Sequence, residues 1–199
     1  MANEKRIETI NLEEDFEKDI EEAFPRYNKI NSENRNQLLN LISRLAKAID
    51  ETDVAKILNS CLPEGYKLKE VVEPQFGYYW RGMDPIDSLY LIGVDQKDHL
   101  SVKEPKFGPN ASSDWTDAIR HGVGKSIPII PFNLAVGFKE SEKLKIKSEK
   151  TSPVYRGNLY KVNGEINFKD LQYLAIRMHG EEPGKVGRLR AFEIEKGEE

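Results

Sequence analysis

Residues 171–178, LQYLAIRM, and residues 189–195, LRAFEIE, alternate or cluster apolar side chains in the manner of β-strands. The stretch VYRGNLYKV (154–162) has the same character. The Asn163-Gly164 pair that follows it is a strong signal for a turn between this strand and the next. We therefore expect the C-terminal part of the chain to form consecutive strands of antiparallel sheet.

Upstream segments extend the strand prediction. YKLKEVV (66–72) and FGYYW (76–80) are expected to be extended. IPIIPFNLAV (127–136) also predicts a strand, but its two prolines would confine it to a sheet edge or break its ladder. KESEKLKIKSEK (139–150) is highly charged, and we expect it to be an exposed excursion.

The first third of the chain is predicted to be helical. Apolar residues recur every four positions over 12–24, and at 3.6-residue spacing over 38–49 in a helix that Ser32 would cap. Thr52 would cap a short third helix over 54–61. The side chains expected in the core are Phe16, Ile20, Leu41, Leu45 and Leu58.

These elements predict an α+β fold in which N-terminal helices pack on two antiparallel β-sheets. We expect a helical N-terminal region at residues 1–72 and a strand-rich domain at 73–199. One short helix is expected after Asp84-Pro85, and Ser112 or Ser113 would cap another.

The composition argues against several classes of protein. The net charge of −4 and the pI of about 5.6 do not favour nucleic-acid binding. Cys61 is the only cysteine, which excludes an internal disulfide framework and a thiolate metal cluster. The sequence has no apolar run long enough for a membrane span and no secretory signal pattern. A cytoplasmic location is expected, and signal-independent secretion stays open.

Neither a phosphate-binding loop nor a metal site is expected. HGVGKS (121–126) lacks the glycine that such a loop has five residues before Gly124, because that position is Ile119. The three histidines are isolated, and none has a second ligand at helical or strand spacing.

The most specific segment is YYWRGMDPIDSLYLIGV (78–94). It places Arg81 at the end of an aromatic strand, before an acidic-proline turn and a short helix that ends at glycine. Ala111-Ser112-Ser113 follows later, ahead of a predicted helix and strand. Asn163-Gly164-Glu165 then precedes the strand LQYLAIRM.

This order resembles the Arg–Ser–Glu class of ADP-ribosyltransferases, which includes the cholera and pertussis toxin catalytic chains. In that family an arginine strand comes first and a Ser-Thr-Ser strand leads into a helix. A glutamate, with Glu or Gln two residues before it, then opens a late strand. The resemblance covers roughly residues 76–180. This chain departs from the pattern at Ala111, where the family has serine, and at Asn163, where it has Glu or Gln.

The resemblance implies that NAD is the substrate. Arg81, with the neighbouring Gly82, would bind NAD, since a planar guanidinium matches phosphate oxygens. Ser112 and Ser113 would support the pocket.

The resemblance also implies a catalytic role for residues near the late strand. Glu165 would stabilise the positive sugar as nicotinamide leaves, and Asn163 occupies the position that helps to choose the acceptor. If the register shifts by a few residues, Leu159 takes the place of the carboxylate and the site is catalytically inactive.

The sequence therefore leaves two expected functions. The resemblance implies a mono-ADP-ribosyltransferase of the toxin or effector type, which moves ADP-ribose from NAD to a macromolecular acceptor, most simply a protein. The alternative is a non-enzymatic protein-interaction module, including a degenerate transferase, that uses its amphipathic N-terminal helices. NAD binding distinguishes the two.

Overall fold

The structure is a computed structural model that describes residues 18–21, 28, 30–48, 51–83, 88–89, 91–92, 110–121, 132–148, 156–164, 166–178 and 189–197. Its helices are α1 (Ser32–Ala46), α2 (Glu51–Asn59) and α3 (Trp115–His121), with a 3₁₀ turn at Phe168–Asp170. The strands are β1 (Tyr66–Val71), β2 (Tyr79–Met83), β3 (Asn110–Ser112), β4 (Phe132–Phe138), β5 (Leu144–Ser148), β6 (Leu159–Gly164), β7 (Leu171–Met178) and β8 (Leu189–Lys196). Within these ranges the chain has no helix of the length and apolarity that a membrane crossing requires.

The eight strands form a single antiparallel sheet in the order β1-β8-β7-β4-β2-β3-β6-β5. The predicted arrangement of helices on two sheets is therefore wrong. Apolar patterns indicate which segments are extended, but they do not specify which strands become neighbours. Here β2 pairs with β4 on one side and with β3 on the other, and these pairings join all the strands into one sheet.

The two faces of the sheet carry different cores, because side chains alternate between faces along a strand. On the face that we call the helix face, Leu134 and Val136 of β4 join one cluster with the buried residues of α1 and α2. On the opposite face, the α3 face, Trp80 and Tyr173 pack with Ile119 of α3.

The helical part of the core was predicted correctly where it is described. Ile20, Leu41, Leu45 and Leu58 are all buried, while Phe16 lies outside the described residues. α1 begins at Ser32, but its cap is Asn31, whose side-chain oxygen accepts a hydrogen bond from the Asn34 N–H at 2.9 Å.

Two strand predictions were wrong. Residues 139–150 are not simply an excursion, because Leu144–Ser148 forms the edge strand β5 and Leu144 is fully buried. β4 is central in the sheet and pairs with β2 and β7, whereas its segment was expected at an edge or with a broken ladder. The prolines that motivated that expectation precede β4, which begins at Phe132, so they remove no hydrogen bond from its ladder.

The Asn163-Gly164 pair does not form a hairpin between β6 and β7, because those strands are not neighbours. Gly164 instead pairs with Leu144 of β5 and has φ +119°. A Cβ atom there would clash with the Lys143 carbonyl oxygen. Only glycine fits this position without strain.

Leu45→Ala is expected to lower the free energy of unfolding by about 2–5 kcal/mol, because it leaves a cavity beneath α1. Chemical denaturation measures the change. Val72→Ala is the matched control, since Val72 is fully exposed and its truncation leaves no cavity. Equal midpoints for the two variants would contradict the burial of Leu45.

Candidate functional site

The strands that carry Arg81 and Ser112 lie side by side. β2 pairs with β3, where Trp80 is opposite Ser112. β3 in turn pairs with β6, where Ser112 is opposite Leu159. The strand order therefore brings together the arginine strand, the serine strand and the strand that ends just before Glu165.

The side chains of Arg81 and Ser112 project to opposite faces of the sheet. Ser112 shares the α3 face with Trp80, because directly opposed residues point the same way. Arg81 is the next residue along β2 and projects to the helix face, as Met83 does. The same register places Arg81 opposite the buried Ala111, at the position where the family pattern has a serine.

β6 supplies no carboxylate to this row of residues. Ala111 is opposite Tyr160, so the row across β2, β3 and β6 reads Arg81, Ala111, Tyr160. The whole of β6, LYKVNG, has neither Asp nor Glu. The strand begins at Leu159 and ends at Gly164.

The residues proposed for catalysis lie further along the chain. Asn163 is exposed, four residues beyond Leu159 on β6, or about 13 Å at about 3.3 Å per residue. Its opposite neighbour is Lys145 of β5. Glu165 lies outside the described residues, and Gly82 pairs with Ala135 in the middle of the sheet.

Aromatic packing occupies the helix face beside Arg81. The rings of Tyr79 and Tyr160 meet edge to face with their centroids 4.9 Å apart. Burial raises the pKa of the Tyr79 hydroxyl, and the negative charge of Glu140 raises it further. Tyr79 is therefore neutral at physiological pH and contributes no anionic group.

The hydroxyl groups of Ser112 and Ser113 both accept hydrogen bonds from backbone N–H groups. Ser112 Oγ accepts a hydrogen bond from the Asp114 N–H at 3.0 Å. Ser113 Oγ accepts one from the Asn158 N–H at 2.9 Å, and the Ser113 N–H donates to the Asn158 carbonyl at 3.0 Å. The two serines thus tie the end of β3 to the segment that enters β6.

Asp114, and neither of the serines predicted for that role, caps α3. Its Oδ1 accepts hydrogen bonds from the Thr116 N–H at 2.8 Å, the Thr116 hydroxyl at 2.6 Å and the Asp117 N–H at 3.1 Å. Burial alone would raise the pKa of Asp114. The hydrogen bonds from Thr116 and Asp117, together with the charge of Arg156, outweigh burial and lower that pKa.

Asp117 is a buried acidic residue that holds the backbone entering β6. It is 3% exposed, and its Oδ2 accepts hydrogen bonds from the backbone N–H groups of Arg156 at 2.5 Å and Gly157 at 2.9 Å. A Cβ at Gly157 would come within 2.7 Å of Ser112 Oγ, so the glycine permits this close approach. Asp117 was not singled out from the sequence. The signal that could have identified it is a carboxylate beside Ala118 and Ile119, on a helix that buries its apolar side.

The described parts of the chain contain no group of three or more His, Cys, Asp or Glu side chains arranged to hold a metal ion. One open cavity lies far from Arg81 in sheet order, at the β1–β8 edge. Lys67 and Glu195 line it and form an ion pair at 3.2 Å.

Comparison with profiles of protein families, with curated proteins and with solved structures finds no match to this chain.

Asp117→Ala is expected to reduce stability by about 2–6 kcal/mol, because it leaves two backbone N–H groups without their acceptor. Denaturation followed by circular dichroism measures this loss. Asp117→Asn retains one side-chain oxygen and should cost less. Wild-type stability in the alanine variant would show that Asp117 does not hold the entry to β6.

Proposed function

We propose that this chain is a non-enzymatic protein-interaction module that meets its partner through an exposed apolar loop. The proposal depends on one observation: Val72 and Phe76 are 102% and 94% exposed in the connection between β1 and β2. They lie four residues apart in one connection, and large apolar side chains left exposed near each other on a surface are typical of interaction sites. We call residues 72–78 the apolar loop.

The backbone of the apolar loop is anchored on both sides of its exposed residues. Pro74 is buried, and the backbone of Gln75 hydrogen-bonds the Tyr173 hydroxyl. The Tyr78 ring packs edge to face on Tyr173 at 4.8 Å. Because the loop is already ordered, a partner that binds it gives up little conformational entropy of this chain.

The energetics favour a partner with an apolar pocket. Full burial of a Val or Phe side chain contributes about 1.5–3 kcal/mol, so the pair contributes about 3–6 kcal/mol. Phe76 supplies most of the buried area and would act as the anchor. The neighbouring Glu73 is exposed and would lie at the polar rim.

ADP-ribosyl transfer remains a prediction of the sequence resemblance. The pairing of β2 with β3 favours it, because it places the arginine and serine strands together. Ala111 and Tyr160, which share the row of Arg81, favour a chain without that activity. An assay with NAD separates the two functions.

We expect no release of nicotinamide by the purified protein, since the row of Arg81, Ala111 and Tyr160 has no carboxylate. We also expect no rise in melting temperature at millimolar NAD, since Ser112 projects to the face opposite Arg81 and the two do not line one pocket. Binding at a hundredfold excess over Kd would stabilise the protein by about 2.7 kcal/mol, which a melting curve resolves readily. Arg81→Ala and Glu165→Gln serve as controls. Nicotinamide release that Glu165→Gln abolishes would overturn the proposal in favour of the transferase.

The double variant Val72→Ser/Phe76→Ser is expected to keep the wild-type stability within about 0.5 kcal/mol, because neither side chain is buried. A photoreactive side chain at Phe76 identifies the partner, and calorimetry with the purified partner then gives Kd. We expect the double variant to weaken Kd at least about tenfold, which corresponds to about 1.4 kcal/mol.

The matched control for this experiment is Glu73→Ser, a polar change in the same loop. It should leave Kd nearly unchanged, since a rim charge contributes little to affinity. If the double serine variant bound the crosslinked partner as tightly as the wild type, the apolar loop would not be the interaction site.

A further inference from the structure

We infer that the α3 face of the paired strands β5 and β6, the β5–β6 ribbon, is a second interaction site. It binds an acidic, extended segment of a partner protein. The lysines Lys145, Lys147 and Lys161 form this site, together with Asn163. We call it the basic ribbon face. It shares no residue with the apolar loop, so its test can fail independently of the proposed function.

Strand alternation places the three lysines on one face. Val162 is buried in the helix-face core, and Ile146 packs against that core. Lys145, Lys147 and Lys161 occupy the alternate positions and are exposed. In the ribbon Lys147 is directly opposite Lys161, and Lys145 is opposite Asn163.

The other edge of the same sheet shows how exposed charges are arranged when they serve the fold. Lys67 and Lys69 of β1 both form ion pairs with Glu195 of β8, at 3.2 Å and 3.0 Å. Arg190 of β8 forms a further pair with Glu70 of β1 at 2.6 Å. Opposite charges thus face each other across the β1–β8 ribbon.

The basic ribbon face lacks this compensation. None of its three lysines forms an ion pair with any residue that the structure describes. Like charges directly opposite each other in a ladder are destabilising, and Lys147 and Lys161 are such a pair. The chain has a net charge of −4, so this positive cluster contrasts with the protein as a whole. Glu140 places a carboxylate at the β5 edge, where its Oε1 accepts a hydrogen bond from the Ile146 N–H at 2.8 Å, but it forms no ion pair with these lysines. An external anionic group would supply the counter-charge that the described residues do not.

Two features favour acidic protein over nucleic acid as the occupant. Among the residues that the structure describes, the exposed side chains of this face include lysines but no arginine fork and no aromatic ring on which a base would stack. Lys145 and Lys147 are separated by about 6.6–6.8 Å along β5. An extended peptide with a carboxylate at every second residue has the same repeat.

The test uses a fluorescent twelve-residue peptide of alternating glutamate and threonine as the probe, with binding followed by anisotropy at low and at physiological ionic strength. We expect Lys145→Gln/Lys147→Gln to weaken Kd about tenfold. The matched control is Lys67→Gln/Lys69→Gln, which removes two lysines with the same spacing from the opposite edge strand. Both variants alter the net charge equally, so bulk charge affects them alike. The control should nevertheless change Kd less than about twofold, because Lys67 and Lys69 lie on the opposite edge strand and are paired with Glu195.

Stability provides a second readout. Lys161→Glu places opposite charges across from each other and should raise the melting temperature by up to about 4 °C while it weakens peptide binding. Equal weakening by the two double variants would overturn the inference. So would tighter binding of a single-stranded oligothymidine than of the peptide, or a self-association that Lys145→Gln/Lys147→Gln removes.

Discussion

Burial of β4 on both faces is the constraint on which the rest of the architecture depends. All seven of its residues, Phe132–Phe138, are buried, so both faces of the sheet must be covered. The helix face does this with large residues such as Phe138 and with α1 and α2. The α3 face instead has a row of small residues across four strands, Gly82, Ala135, Ala175 and Ala191. These let α3 approach closely.

At each free edge of the sheet, a side chain occupies a backbone N–H donor. At β1, the Leu68 N–H donates to Asn59 Oδ1 at 2.7 Å. At β5, the Ile146 N–H donates to Glu140 Oε1 at 2.8 Å. Occupied backbone donors disfavour the addition of another strand, which protects the sheet from edge-to-edge aggregation. A partner therefore meets side chains, which is the mode of contact inferred both for the apolar loop and for the basic ribbon face.

The sequence predicted helices and strands correctly where the apolar pattern lies within the element itself. The 3.6-residue stripe around Leu45 and the runs that became β7 and β8 needed only their own residues to be recognised. Strand order was out of reach, because the pairing of β2 with β4 and β3 depends on contacts distant in sequence. β5 was missed because its lysines resemble those of a loop, although lysine is also typical of edge strands.

The candidate sites were harder to predict than the fold, because a shift of one residue moves a strand side chain to the other face. The resemblance implied that Arg81 and Ser112 serve one pocket, whereas the structure places them on adjacent strands with Ala111 rather than Ser112 facing Arg81. In β5 the same two-residue alternation of side chains brings like residues together on one face. In an irregular segment the charges of Lys145 and Lys147 would point in unrelated directions, whereas in a strand they add on one face. A charged stretch of sequence thereby becomes a surface with a defined spacing, and that spacing is what an extended acidic partner recognises.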